Sequence, residues 1–127
     1  MLEVLFVGLG GFAGAVFRYL CTLGIGSRAP SGFFPLATLA VNLAGSFIMG
    51  FLSQLFAQQS FENRRLYLFL TTGMMGGFTT FSTFSLETVN LFQDGKAWIA
   101  LCNIALSIVC CLAGIVLGKL LAKGFAR

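Results

Sequence analysis

Apolar residues fill this chain in four long blocks, at residues 2–25, 33–58, 66–92 and 97–121, with polar residues gathered in the gaps between them. Each block reaches the roughly 20 residues that a helix needs to cross a hydrocarbon core. The pattern predicts a bundle of four membrane helices in a single transmembrane domain, with no soluble domain. The gap at 26–32 is a Gly- and Pro-containing loop with Arg28, and that at 58–65 carries Glu62, Arg64 and Arg65. Gln93 to Lys96 holds the turn pair Asp94-Gly95. Pro35 is expected in the first turn of the second helix, where proline is tolerated.

The third block does not read as a plain membrane helix. Gly73, Gly76 and Gly77 are followed by Phe78-Thr79-Thr80-Phe81-Ser82-Thr83-Phe84-Ser85. The glycines and the run of hydroxyl and aromatic residues after them are expected to interrupt the helix at depth. In hydrocarbon a freed backbone group costs several kcal/mol unless another partner takes it. An interruption kept there lines a cavity or binds an ion. After the break, Phe81 and Phe84 share one helix face, Thr80 and Thr83 a second, Ser82 and Ser85 a third. Hydroxyls that donate hydrogen bonds, beside the positive edges of phenyl rings, suit a small anion. Carbonyl oxygens around Gly76 and Thr79 offer themselves to a cation. With no carboxylate among them, a monovalent ion such as Na⁺ is favoured over Ca²⁺ or Mg²⁺. The bland alternative has the glycines serving close packing and the phenylalanines facing lipid. The density of the pattern at one depth argues against it.

Composition agrees with a membrane setting. The 127 residues are 57% hydrophobic and 9% charged, against about a quarter charged in a soluble domain. The mean hydropathy is +0.93. The net charge of +4 comes from basic residues scattered at block ends. They form no stripe that tracks phosphates, so nucleic acid is not an expected partner. Five basic residues on one side (Arg64, Arg65, Lys119, Lys123, Arg127) face Arg28 and Lys96 on the other, with Arg18 joining them if it reaches that interface. So weak a bias permits both orientations in the membrane. The first block lacks a basic leader and a small-residue cleavage site, and reads as a retained helix. Cys21, Cys102, Cys110 and Cys111 lie in apolar blocks without metal-ligand spacing, and there is no histidine.

Three polar positions inside the other blocks matter. Arg18 is either an anchor that snorkels beside Tyr19 or a fixed positive charge that gathers anions at a pore mouth. Asn42, within the small-residue face of Ala40, Ala44, Gly45, Ser46 and Gly50, either bonds to a neighbouring helix or lines a polar path. Asn103 and Ser107 share a face of the fourth block, and Gly10-x-x-x-Gly14 and Gly114-x-x-x-Gly118 allow backbones to approach. Four helices cannot both enclose a polar path and shield it from lipid, so at least two copies are expected.

These residues resemble the Fluc (CrcB) family of fluoride channels. The resemblance rests on Gly76-Gly77-x-Thr79-Thr80-Phe81-Ser82-Thr83-Phe84, on Gly14-x-x-x-Arg18-Tyr19 and on Asn42-Leu43-x-Gly45-Ser46-Phe47. It implies an all-α integral membrane protein of four transmembrane helices, the third broken near the membrane centre. It further implies an antiparallel, dual-topology homodimer in the bacterial plasma membrane that exports cytoplasmic fluoride passively through two pores. A central Na⁺ would be held by the carbonyls of Gly76 and Thr79. Phe81 and Phe84 would line the pores, with Asn42 nearby and Arg18 serving the vestibule. A polar track of hydroxyls, Thr80, Ser82 and Thr83 among them, would continue to Glu87, with Ser107 and Asn103 as pore-facing positions of the fourth helix.

Two other functions fit the residues less well. A small proton-coupled multidrug exporter needs a titratable carboxylate deep in its first helix, where this chain has Arg18 instead; Glu3 is terminal and Glu87 lies in the third block. A packing subunit without transport leaves the broken helix purposeless. No nucleophile–base pair or metal cluster points to an enzyme.

Overall fold

The computed structural model describes residues 1–26, 34–57 and 64–125. Among them the regular structure is entirely helical: α1 (Leu2–Gly26), α2 (Leu36–Ala57), α3 (Arg64–Leu68), a π-helical stretch (Phe69–Met75), α4 (Gly76–Phe78), α5 (Phe81–Gln93) and α6 (Ala97–Phe125). Three of these, α1, α2 and α6, are long and apolar enough to cross a membrane. The expected loops at 26–32 and 58–65 lie largely outside the described residues, as do Arg28, Glu62 and Arg127.

The helix ends follow from local chemistry. Pro35 stands immediately ahead of α2 rather than inside its first turn, and its carbonyl accepts from the Leu39 N–H at 3.1 Å. Past the end of α5, Gly95 takes φ +74°. Its N–H bonds to the Phe92 carbonyl at 3.1 Å, and that of Lys96 to the Leu91 carbonyl at 2.8 Å. This pair of bonds closes a helix on a left-handed residue, which glycine adopts without steric cost. α6 runs beyond the expected 121 to Phe125, with Lys123 in its last turn, where a cation opposes the helix dipole.

The bundle is held by two backbone seams. α1 packs along residues 69–78, and α2 along α6. In the first seam, a Cβ on Gly10 would overlap the Phe69 carbonyl oxygen, and one on Gly77 would overlap that of Gly11. In the second, a Cβ on Gly118 would overlap the Phe47 carbonyl oxygen. Both pairs of small residues read from the sequence therefore sit at close helix contacts. The apolar core among the described residues is correspondingly thin: Val41, Met75, Leu91, Ala100 and Ala122. Large apolar side chains such as Phe12, Leu112 and Val116 point outward.

The expected interruption, within Gly73 to Ser85, is narrowed here. Gly73, Gly76 and Gly77 do not interrupt the chain, because all three lie in helical segments. Glycine costs only about 1 kcal/mol in a helix, and at Gly73 and Gly77 a close approach to α1 offsets it. The first half of this segment instead widens into a π-helical stretch, which the apolar pattern did not foretell, and the interruption falls later, at Thr79 and Thr80.

The seams make a direct prediction. Gly118→Ala should destabilise the protein by about 1–3 kcal/mol, as overpacking does, whereas Gly124→Ala, with nothing within 4 Å of the added methyl, should be neutral. Thermal unfolding of the two variants in the same detergent checks this; equal melting would mean that the α2–α6 seam is looser than described.

Candidate functional site

The break is two residues long. Thr79 (φ −78°, ψ 157°) and Thr80 (φ −149°, ψ 113°) are extended. Such a pair removes helical hydrogen bonds, and several of the freed groups have a traceable replacement. Asn42 of α2 meets Thr80 on both polar backbone groups. Its Nδ2 donates to the Thr80 carbonyl at 3.0 Å, and its Oδ1 accepts from the Thr80 N–H at 2.7 Å. The two bonds also fix the amide's orientation, since only the oxygen can accept from an N–H. Thr80 then caps α5, its Oγ1 accepting from the Thr83 N–H at 3.2 Å and donating to Thr83 Oγ1 at 3.0 Å. The Thr79 hydroxyl folds back onto the Met75 carbonyl at 3.0 Å. From α1, Arg18 Nε donates to the Gly77 carbonyl at 3.2 Å.

This arrangement takes the helical donors from the carbonyls of Gly76 and Thr79. In an unbroken helix the Gly76 oxygen would accept from the Thr80 N–H, and the Thr79 oxygen from the Thr83 N–H. Those donors are turned instead to Asn42 and to the Thr80 hydroxyl. Gly76 and Thr79, the two positions read from the sequence as cation ligands, thus both have their helical donors diverted, while the Gly77 carbonyl takes Arg18 Nε.

Beyond the break, α5 carries Phe81 and Phe84 side by side, with ring centroids 5.5 Å apart and planes tilted by 45°. They form one wall of a groove of about 350 Å³. Asn42 and Ser46 of α2, Thr79 and Thr80 of the break, and Ser107 with Cys111 of α6 complete its polar lining, and among the described residues no charged side chain borders it. Phe81 is 79% exposed, so the groove is open on that side in the single chain.

The remaining predicted positions fall elsewhere. Ser82 and Thr83 stand at the start of α5 outside this lining, tied to the Thr80 hydroxyl at 3.2 and 3.0 Å. Glu87 borders a second hollow of about 250 Å³ with Phe34, Pro35, Asn90 and Asp94. Its Oε1 accepts from the Thr38 hydroxyl at 2.8 Å, while its Oε2 is buried without a hydrogen-bond partner. Ser107 reaches the groove, but Asn103 is 1% exposed and does not line it. Arg18 is drawn to the break by its bond to Gly77 and borders neither hollow.

Sequence reasoning passed over Thr38 and Thr88, and it read Ser46 only as a packing residue and Cys111 only as an apolar one. A signal was there. Thr38, Asn42 and Ser46 recur every fourth residue along α2, as do Asn103, Ser107 and Cys111 along α6. Such spacing places each set on one face of its helix.

Apolar helices without a soluble core, glycine seams and a break kept in register by side chains define an α-helical, multi-pass membrane protein. The chain belongs to the CrcB family: the model of the CrcB-like protein, Camphor Resistance (CrcB), matches residues 5–119. A relative from Ruminiclostridium cellulolyticum, named a fluoride-specific ion channel FluC, is 56% identical over 126 residues, covering 99% of this chain and 96% of the relative. Proteins of the same name from Elusimicrobium minutum and Methanocaldococcus jannaschii are 46% and 47% identical. The first alignment covers 95% of this chain and 94% of the relative, the second 98% of each. The family is one of ion channels, not enzymes.

Asn42→Ala leaves the Thr80 N–H and carbonyl unpaired together. The expected loss is about 1–3 kcal/mol for each group left buried without a partner, seen as a lower melting temperature. Asn42→Asp keeps the acceptor and loses the donor, and should fall between. A melting temperature equal to wild type in both variants would show that the break is held by something other than this amide.

Proposed function

We propose that this chain forms a fluoride-selective channel that lets cytoplasmic fluoride leave the cell passively. The observation that carries the reading is the groove at Phe81 and Phe84. The Asn42 amide and the hydroxyl residues Ser46, Thr79, Thr80 and Ser107 line it beside the phenyl rings, and among the described residues no charged side chain borders it to trap or repel an anion. Fluoride is small and holds its water tightly, so a path for it must offer many close donors in place of that water. HF, its weak neutral acid, enters from acidic surroundings and dissociates inside. Export then needs no coupling, because a negative-inside potential drives each anion outward with about 2.3 kcal/mol per 100 mV.

Residues 64–93 form the third of four spans in this reading, bent at Thr79 and Thr80 near the membrane centre. The groove's open side calls for a second copy. An antiparallel pair places a two-fold axis in the membrane plane and yields two equivalent paths. At that axis the carbonyls of Gly76 and Thr79 from both copies would hold a sodium ion, for which neutral oxygens with diverted donors are suitable ligands. Such an ion would supply a fixed positive charge between two anion paths. Arg18 spends one of its five guanidinium N–H groups on Gly77, and the others would serve an anion in the vestibule. The hydroxyls of Ser82 and Thr83 would continue the track towards Glu87.

Purified protein in liposomes loaded with potassium fluoride tests this. Adding a K⁺ ionophore should release fluoride with little chloride release from matched vesicles, and Phe81→Ile or Phe84→Ile should slow the release without dispersing the assembly. Chloride release as fast as that of fluoride would overturn the selectivity. Release that required an imposed proton gradient would favour a coupled exporter.

A further inference from the structure

The largest side chain to be fully buried among the described residues is not apolar: it is Asn103. An amide in that position is costly unless its groups find partners, and its partners join the two walls of the groove. Asn103 Nδ2 donates to Thr88 Oγ1 at 2.9 Å. Thr88 Oγ1 donates in turn to the Phe84 carbonyl at 2.7 Å. On the other side, Ser107 Oγ donates to Asn103 Oδ1 at 3.5 Å. The direction of this relay is fixed by proton count. Thr88 has a single hydroxyl proton and spends it on Phe84, so it meets Asn103 as an acceptor. The Asn103 NH₂ must therefore face α5, and its oxygen must face Ser107.

Ser107 borders the groove from α6, and Phe84 borders it from α5. We propose that Asn103 is a positioning residue for the anion path: it aims the Ser107 hydroxyl and, through Thr88, seats the turn that carries Phe84. The two bonds on the α5 side are short and hold the amide still. The bond on the α6 side is at the long limit of hydrogen bonding. The Ser107 proton points to Asn103. An arriving anion competes for that proton, and so weak a bond gives it up readily. As the ion leaves, the fixed oxygen takes the proton back. A donor that yields and returns suits transit better than tight binding, since conduction needs sites that release what they bind. The inference rests on reading the groove as an anion path.

Thr88 and Ser107 are joined in this relay only by Asn103, which makes a double-mutant cycle decisive. Fluoride release from liposomes is measured for wild type, Thr88→Val, Ser107→Ala and the double variant, each first checked for wild-type assembly. Each single change should slow release by about threefold to tenfold, the effect of one lost hydrogen bond. The double variant should be no slower than the slower single, and Thr88→Ser should restore the rate lost in Thr88→Val. Multiplying effects in the double variant would overturn the relay, because a merely structural threonine acts independently of a distant serine. Unchanged rates in both single variants, with wild type conducting, would overturn it as well. No fluoride release from wild type would instead sink the channel reading and carry this inference down with it.

Discussion

Two backbone groups of Thr80 and the amide of Asn42 hold the structure's defining feature in place. A chain in hydrocarbon cannot leave peptide groups unpaired, since each costs several kcal/mol. Two extended residues in an otherwise helical segment would accumulate that cost quickly. Asn42 offers Thr80 both a donor and an acceptor at 3.0 and 2.7 Å. The Thr80 hydroxyl restarts the helix, the Thr79 hydroxyl closes the preceding turn, and Arg18 takes the Gly77 carbonyl. The direction of α5 follows from this pairing, and so does the placement of Phe81 and Phe84 against α6.

The glycine seams make that pairing possible. Lipid is as apolar as leucine, so helices in a membrane gain little by burying apolar side chains against one another. They gain by close packing, and small residues permit it. Gly45 shows the link most plainly. A Cβ there would overlap the methyl of Thr79 and lie 3.1 Å from the Phe78 ring. With no side chain at Gly45, α2 comes near enough for Asn42, one turn earlier, to reach the break. The α1 seam secures the other side, bringing Arg18 within 3.2 Å of the Gly77 carbonyl.

Much of the frame was legible in the chain before any coordinates. Long apolar blocks announce helices because the membrane demands about 20 such residues, and Asp94-Gly95 announces its turn because only glycine takes that φ freely. The break was legible within Gly73 to Ser85 but not to the residue. Glycine signals both weak helices and close helix contacts, and pattern alone does not separate these; packing against α1 decided for contact. Asn42 stood between two readings, and the structure gives it parts of both, since it bonds to Thr80 and borders the groove. Thr38 and Thr88 escaped notice because a hydroxyl in an apolar helix commonly bonds its own preceding turn. Thr88 does so and accepts from Asn103 as well. The π-helical stretch carries no sequence mark of its own.

The third segment bends at Thr79 and Thr80, and the proposed pairing requires its freed carbonyls to face a second copy. An experimental density map of the purified protein in lipid nanodiscs addresses this most directly. The account predicts two inverted copies, with density for the Asn42 side chain joining the Thr80 backbone and the oxygens of Gly76 and Thr79 converging on one ion between them. A straight helix through residues 64–93, with its phenylalanines spread against lipid, would contradict it.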